Sequence, residues 1–261
     1  MAVPLYGEFI VLNHTLMKTK PLLAIFVFSL MVTTSCAQTL EGIQKRIKVA
    51  FITAVNGDLS SLQQIRKSLS VTPKNGQTRI QNYWKAYTDY KLAVAYLSNK
   101  DKQSGDKLNE EGIKLLTSIK RKNSEEYALL GMMTSLRISF DPMAAMLASK
   151  EARNYYDKAA KLDPKNLRAY LGKGSSDFYT PKQYGGGLIA EGLFLKALSL
   201  KDTYVTTPYA PTWGREEVYM LLVRFHRRES ENQKALLYCK QGLKKYPYNP
   251  RLAKALKELS K

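Results

Sequence analysis

Apolar residues recur every three or four positions along most of the chain beyond residue 38, which is the period of amphipathic helices. Residues 40–56, 58–69, 79–98 and 106–120 each place a row of apolar side chains on one helical face. In the first segment the row comprises Ile43, Ile47, Ala50 and Ala54. No stretch keeps up the alternation typical of strands, so the pattern predicts an all-α fold with two degenerate helical hairpins over residues 38–122.

A second pattern, of longer period, covers the rest of the chain. Three segments share the spacing small-x3-core-x2-small, in which small residues let neighbouring helices approach and a larger side chain fills the gap. The segments contain Ala152, Tyr156 and Ala159, then Ala190, Phe194 and Ala197, and finally Ala235, Cys239 and Gly242. The aromatic residues Tyr127, Tyr170 and Tyr219 hold equivalent positions in the helices that precede these segments. The agreement of these spacings indicates three repeated helical hairpins.

This pattern resembles the tetratricopeptide repeat (TPR) family over residues 123–250. Residues 249–261, rich in Lys, then form a C-terminal capping helix, so that repeats and cap together occupy residues 123–261. The resemblance implies an α-solenoid of antiparallel helical hairpins that serves as a scaffold for partners.

In such a solenoid the first helix of each hairpin lines a concave groove. The expected groove residues, by hairpin, are Met132, then Arg168, Leu171 and Phe178, then Met220, Arg224 and Arg227. They form an apolar floor with an arginine pair at one end, which suits an extended peptide or a chain carboxylate. The alternative is that these residues only furnish the inner face that every solenoid has.

Extra residues over the repeat period fall in three inserts. Residues 139–143 and 177–187 lie in the turns between the two helices of a repeat, and residues 202–214 lie between two repeats. Their candidate ligand-contacting or groove-closing residues are Phe140, Tyr179, Tyr184 and Trp213. Gly185, Gly186 and Gly187 precede a helix and could cradle an anion with their N–H groups, or simply form a tight turn. The second insert also resembles the periplasmic repeat protein that accompanies some TRAP-type solute transporters, which implies a solute-handling role.

The first 37 residues have the pattern of a leader. Residues 17–37 combine a short basic segment, a twelve-residue apolar run and small residues, as in a secretory signal peptide, and residues 1–16 lie upstream of the expected true start. Cleavage after Ala37 would release a periplasmic protein. Alternatively Cys36 resembles a lipoprotein cysteine, whose lipidation would anchor the chain to the bacterial outer membrane.

Composition limits the chemistry that the chain can perform. Beyond the leader only His226 and Cys239 provide an imidazole and a thiol, so we expect neither a catalytic residue nor a metal or cofactor. The acidic pair Glu125–Glu126 is interpreted as first-turn charge that favours the helix dipole. The full chain has 41 basic and 22 acidic residues, a net charge of +19. In an exported protein that charge points to an anionic membrane or cell wall and not to nucleic acid.

The sequence therefore predicts a non-enzymatic TPR-like scaffold in the bacterial envelope that binds a protein or peptide in its groove. The alternative is a solute-binding accessory protein of a transporter. The pattern leaves the oligomeric state open.

Overall fold

The computed structural model describes residues 40–71, 76–200 and 209–260. The leader, with Cys36, and residues 202–208 of the third insert lie outside the described residues. Gly42–Lys261 form one compact unit. Within the described ranges no helix is long and apolar enough to cross a membrane.

Eleven α-helices and no strand occur in the described part of the chain. The helices are α1 (Ile43–Ala54), α2 (Ser60–Ser68), α3 (Thr78–Ser98), α4 (Lys102–Ser118), α5 (Ser124–Phe140), α6 (Ala145–Leu162), α7 (Leu167–Tyr179), α8 (Ala190–Ser199), α9 (Arg215–Arg228), α10 (Asn232–Lys245) and α11 (Pro250–Leu259). Short 3-10 turns at Pro142–Ala144 and Lys182–Tyr184 lie inside the first two inserts.

Consecutive helices pack as hairpins, α1 with α2 through α9 with α10, and α11 covers the last hairpin. Each odd-numbered helix also contacts the next odd-numbered helix, which gives one layer from α1 to α11. Lys48 of α1 reaches Glu216 of α9, with Nζ 2.5 Å from Oε2, so this layer is the inner face of a curved stack. The predicted fold class, an all-α solenoid of helical hairpins, is confirmed.

The small residues of the repeat pattern lie where helices approach most closely. A Cβ atom on Gly131 of α5 would come within 2.6 Å of the Tyr156 ring, and one on Gly172 of α7 would come closer still. Gly174 of α7 likewise accommodates Phe194 of α8, in the same hairpin. These rings are buried, as the spacing predicts, because glycine in the facing helix leaves room for them.

Arginines tie neighbouring hairpins together through carboxylates. Asn123 and Glu126 form a capping box at the start of α5, and Arg79 of α3 donates two hydrogen bonds of 2.7 Å to the same Glu126 carboxylate. Arg66 of α2 bridges Asp89 of α3 and Glu111 of α4, both at 2.5 Å. Ion pairs therefore cross between hairpins along the stack.

Candidate functional site

The inner face is closed at the end where the odd-numbered helices begin. Residues 209–214, between α8 and α9, cover it. The Trp213 ring stacks on Tyr87 of α3 with centroids 4.8 Å apart, and its Nε1 donates to the Tyr83 hydroxyl at 3.0 Å. Trp84 Nε1 in turn donates to the Tyr209 carbonyl at 2.9 Å. We call residues 209–214 the closing segment.

Arg168, an expected groove residue, holds the closing segment from the other side. Its guanidinium binds the Glu125 carboxylate with two hydrogen bonds and donates through Nη1 to the Trp213 carbonyl at 2.7 Å. It is buried, and its charge lies 5.5 Å from the Trp213 ring centroid. Arg168 is thus engaged within the protein, as Glu125 is.

Further contacts cross the middle of the inner face. The Lys91 ammonium lies 4.8 Å from the Phe51 ring, 5.1 Å from Tyr87 and 5.5 Å from Tyr90, and 3.9 Å from the Glu217 carboxylate. Burial lowers the pKa of Lys91, and Glu217 opposes that shift. Because Phe51 belongs to α1 and Glu217 to α9, this cation joins the two sides of the stack.

The opposite end of the inner face, where the odd-numbered helices finish, has a different composition. Arg224 is exposed, and its Nη1 donates to the Tyr179 hydroxyl at 3.1 Å. Tyr90 of α3 is half-buried near Tyr179, and the hydroxyl of the buried Tyr156 lies 3.2 Å from Ser135 Oγ. We call Tyr90, Ser135, Tyr179 and Arg224 the tyrosine–arginine patch.

The chemistry of this patch suits a carboxylate. Burial raises the pKa of Tyr90 above the ordinary phenol value of about 10, and a phenol keeps its proton at neutral pH with or without that shift. Arg224 has no carboxylate within ion-pair distance among the described residues. A protonated phenol and an unpaired guanidinium are both donors to a carboxylate oxygen.

The remaining expected groove residues fall in different environments. Leu171, Phe178 and Met220 are buried in the inner layer, and Met132 is half-buried one turn before Ser135 on α5. Arg227 is exposed but pairs with Glu258 of α11 at 2.8 Å. The two arginines of the expected pair therefore have different partners, and only Arg224 belongs to the patch.

The glycine insert forms a tight turn around one carboxylate. Gly185 and Gly187 have φ of 80° and 84°, a backbone region that favours glycine. Asp177 Oδ2 accepts from the N–H groups of Ile189 and Ala190 at 3.0 and 2.8 Å, and the Asp177 carbonyl accepts from Gly187 at 2.9 Å. The side chain of Asp177 thus supplies an anionic group at the start of α8.

Large apolar side chains project from the first two insert turns. At and beside the first turn they are Met143 and, at the start of α6, Met146 and Leu147. At and beside the second they are Tyr179, Tyr184, Leu188 and Ile189, which brings the total to seven of the fourteen exposed large apolar side chains described. Phe140 is instead half-buried against Gly105 of α4. An apolar edge of this kind is a common feature of interaction sites.

His226 and Cys239 are both buried and have separate partners. His226 stacks on Tyr238 with centroids 5.2 Å apart, and its Nδ1 lies 2.7 Å from Glu231 Oε2. The Cys239 thiol donates to the Leu252 carbonyl at 3.1 Å, and burial raises its pKa, which disfavours the reactive thiolate. Within the described residues no group of His, Cys, Asp and Glu could hold a metal ion.

Two solved structures resemble this chain. One is the HusA haemophore from Porphyromonas gingivalis, with 23% identity and a TM-score of 0.53 over 70% of this chain and 94% of that chain. The other is a thermophilic TPR protein from Thermus thermophilus, with 16% identity and a TM-score of 0.52 over 83% of this chain and 98% of that chain. At these identities the likeness shows the helical-repeat fold alone.

No protein-family model matches the chain. No curated protein matches it either.

Sequence reasoning named Trp213 as a candidate for closing the groove, but it missed the partners of the closing segment and the central position of Lys91. The signal for the segment was its content of Tyr209, Pro211 and Trp213, which is aromatic-rich and too apolar for an exposed loop. For Lys91 the only signal was a lysine among the tyrosines of α3. Neither pattern predicts that α1, α3 and α9 are neighbours.

Proposed function

We propose that this protein is an exported, non-enzymatic binding protein of the bacterial envelope, and that the tyrosine–arginine patch takes a carboxylate of a protein or peptide partner. One observation carries the proposal. The closing segment covers one end of the inner face, and the other end presents Arg224 beside Tyr179, exposed and without a carboxylate partner among the described residues. The proposal of export rests on the leader pattern of residues 17–37.

A carboxylate-bearing peptide end fits this arrangement better than an extended chain along the whole inner face. The contacts of Trp213 and Lys91 already occupy the beginning and the middle of that face. An extended peptide would have to displace both, whereas a chain terminus needs only the end at Arg224. Charge-assisted hydrogen bonds from the guanidinium would orient the bound carboxylate.

A second candidate is carriage of a carboxylate-bearing solute, the role that the transporter resemblance implies. The observation that favours it is the group of exposed aromatic and aliphatic side chains next to the patch, Tyr184, Leu188 and Ile189. Since a solved structure of similar fold is named a haemophore, the first solute to test is haem, a planar apolar ring with carboxylates. In this candidate Arg224 would bind the carboxylates and the apolar side chains would contact the ring.

One set of variants tests both candidates. Arg224→Glu reverses the charge of the patch, and Lys240→Glu is the matched control because Lys240 is an exposed cation on the adjacent α10. We expect Arg224→Glu to weaken binding to synthetic peptides with free C-terminal carboxylates by roughly tenfold to a hundredfold, and Lys240→Glu to leave it unchanged.

The same peptides with amidated C-termini show whether binding depends on the terminal carboxylate, because they lack the group that Arg224 is proposed to bind. Equal affinity for amidated and free peptides would contradict the proposal. Absorbance titration with haem tests the second candidate. There, tight haem binding that Arg224→Glu and Tyr184→Ala both weaken, with no peptide binding, would favour solute carriage.

A further inference from the structure

The first two insert turns lie at one edge of the solenoid. Because α5 and α7 are adjacent members of the inner layer and run in the same direction, the turns that follow them emerge on the same side. The first turn and the start of α6 expose Met143 (95%), Met146 (88%) and Leu147 (70%), and the second turn exposes Leu188 (82%) and Ile189 (58%). We call these five side chains the apolar tips.

Both turns are held by hydrogen bonds of their own, so the tips are not the ends of loose loops. In the first turn, Asp141 Oδ1 accepts from the Met143 N–H at 2.9 Å, and Pro142 fixes the start of the 3-10 turn. In the second, the Asp177 carboxylate binds the N–H groups of Ile189 and Ala190. Each backbone is therefore satisfied within the turn while its apolar side chains point away from the core.

Two cations lie next to the apolar tips that belong to the start of α6. Met146, Lys150 and Arg153 follow one another at spacings of four and three residues, so they share one exposed face of α6. Neither Lys150 nor Arg153 has an ion-pair partner among the described residues, and the nearby Glu151 is bound to Arg137. In the second turn Lys182 pairs with Glu229 at 2.6 Å. The first part of α6 is thus amphipathic, with apolar side chains at its N-terminal end and cations in the turns that follow.

We propose that the apolar tips insert into the surface of an anionic lipid membrane, with Lys150 and Arg153 at the level of the headgroups. Projecting apolar side chains with cations one or two turns behind match the depth profile of a bilayer surface, apolar inside and anionic above. The net charge of +19 adds attraction at longer range. This placement does not depend on the proposed function, and it turns the end of the inner face that carries Arg224 toward the membrane.

The test is co-sedimentation with vesicles of phosphatidylglycerol and phosphatidylcholine in equal amounts. A chain that begins at Gln38 is used, since it lacks the apolar leader and keeps the whole compact unit Gly42–Lys261. We expect binding to these vesicles at moderate salt, and weaker binding to pure phosphatidylcholine. The substitutions Met143→Ser, Leu147→Ser, Leu188→Ser and Ile189→Ser, combined, should lower the affinity by about tenfold or more.

The matched control carries the same kind of change on the opposite edge. Leu162 and Tyr248, at 57% and 96% exposure, lie where hairpins join, and Leu162→Ser with Tyr248→Ser should leave vesicle binding unchanged. The variant Lys150→Glu with Arg153→Glu should lose binding to the anionic vesicles while its weak binding to phosphatidylcholine stays the same.

Three results would overturn the proposal. The unchanged chain could fail to sediment with anionic vesicles, or the control variant could lose as much affinity as the tip variant. A chain that dimerises through the tips, becomes monomeric in the tip variant and ignores vesicles would assign the surface to a second copy instead. Arg224 is untouched in all of these variants, so failure here leaves the carboxylate proposal to its own experiment.

Discussion

The Tyr156 ring packs between α5 and α7 because both helices present a glycine to it. Its hydroxyl lies 3.2 Å from Ser135, so the ring is fixed at both its faces and its tip. The repeat spacing predicts the core position of Tyr156. In the first helices the TPR pattern of an aromatic residue followed four positions later by glycine matches Gly131 after Tyr127 and Gly174 after Tyr170. It does not identify Gly172, which also faces the Tyr156 ring.

Gly172→Ala should destabilise the protein by about 1 to 2 kcal/mol. The added methyl group would overlap the Tyr156 ring, and overpacking outweighs the gain in helix propensity that alanine brings. Gly192→Ala is the control, since a Cβ there meets nothing within 4 Å. Urea unfolding measures both, and equal midpoints for the two variants would contradict this account of the packing.

Asp89 gives the stability a dependence on pH. Burial raises the pKa of its carboxyl from 3.8 to about 6, and the Arg66 guanidinium, 2.5 Å away, opposes the shift. Between pH 4 and 6 the folded state therefore binds more protons than the unfolded state. It follows that the contribution of Asp89 is most favourable below the unfolded pKa and is lost as the pH rises toward 6.

Comparison with Asp89→Asn isolates this contribution. The difference in unfolding free energy between the natural chain and the variant should change by about 2 to 3 kcal/mol between pH 4 and 7, with the natural chain losing stability as the pH rises. Urea unfolding at several pH values measures the difference. Parallel stability profiles for the two proteins would show that Asp89 has the same pKa in the folded and unfolded chain.

At the scale of elements, the closing segment decides how much of the inner face is available. Trp213 stacks on Tyr87, bonds to Tyr83 and lies beneath Arg168, and these residues belong to α3 and α7. The sequence predicts a role for Trp213 in closing the groove or contacting a ligand. Its burial and contacts correspond to closure.

Trp213→Ala should therefore cost about 3 to 5 kcal/mol of stability, because it removes a buried ring and leaves the Tyr83 hydroxyl without its donor. Tyr184→Ala, at an exposed aromatic position in the second insert, should change the unfolding free energy by less than about 0.5 kcal/mol. Denaturant unfolding monitored by far-UV circular dichroism compares the two. A Trp213→Ala protein as stable as the natural chain would show that the segment does not hold the inner face together.

The ion pairs at helix ends are also predicted only in part by the sequence. Glu125 and Glu126 lie in the first turn of α5, where the sequence interprets them as charges favourable to the helix dipole. In the structure they also bind Arg168 and Arg79, which lie 43 and 47 residues away along the chain. A helix position is readable from local pattern, whereas the identity of a distant cation depends on which hairpins become neighbours.

At the scale of the whole molecule, the stack curves until its first and fifth hairpins touch. Gln44 of α1 and Thr212 exchange two hydrogen bonds of 2.9 and 2.8 Å, and Lys48 pairs with Glu216 nearby. These contacts span 168 residues of sequence. They convert the groove expected of an open solenoid into an inner face with one closed end and one accessible end.

The sequence by itself determined the helices, the repeat, the aromatic core positions and the order of hairpins, because these depend on spacings within about 40 residues. Curvature was decided only by the tertiary structure, since it is the sum of small rotations between successive hairpins. That sum brings α1 and α3 against α9, buries Arg168 and Trp213, and leaves Arg224 beside Tyr179 at the remaining accessible end.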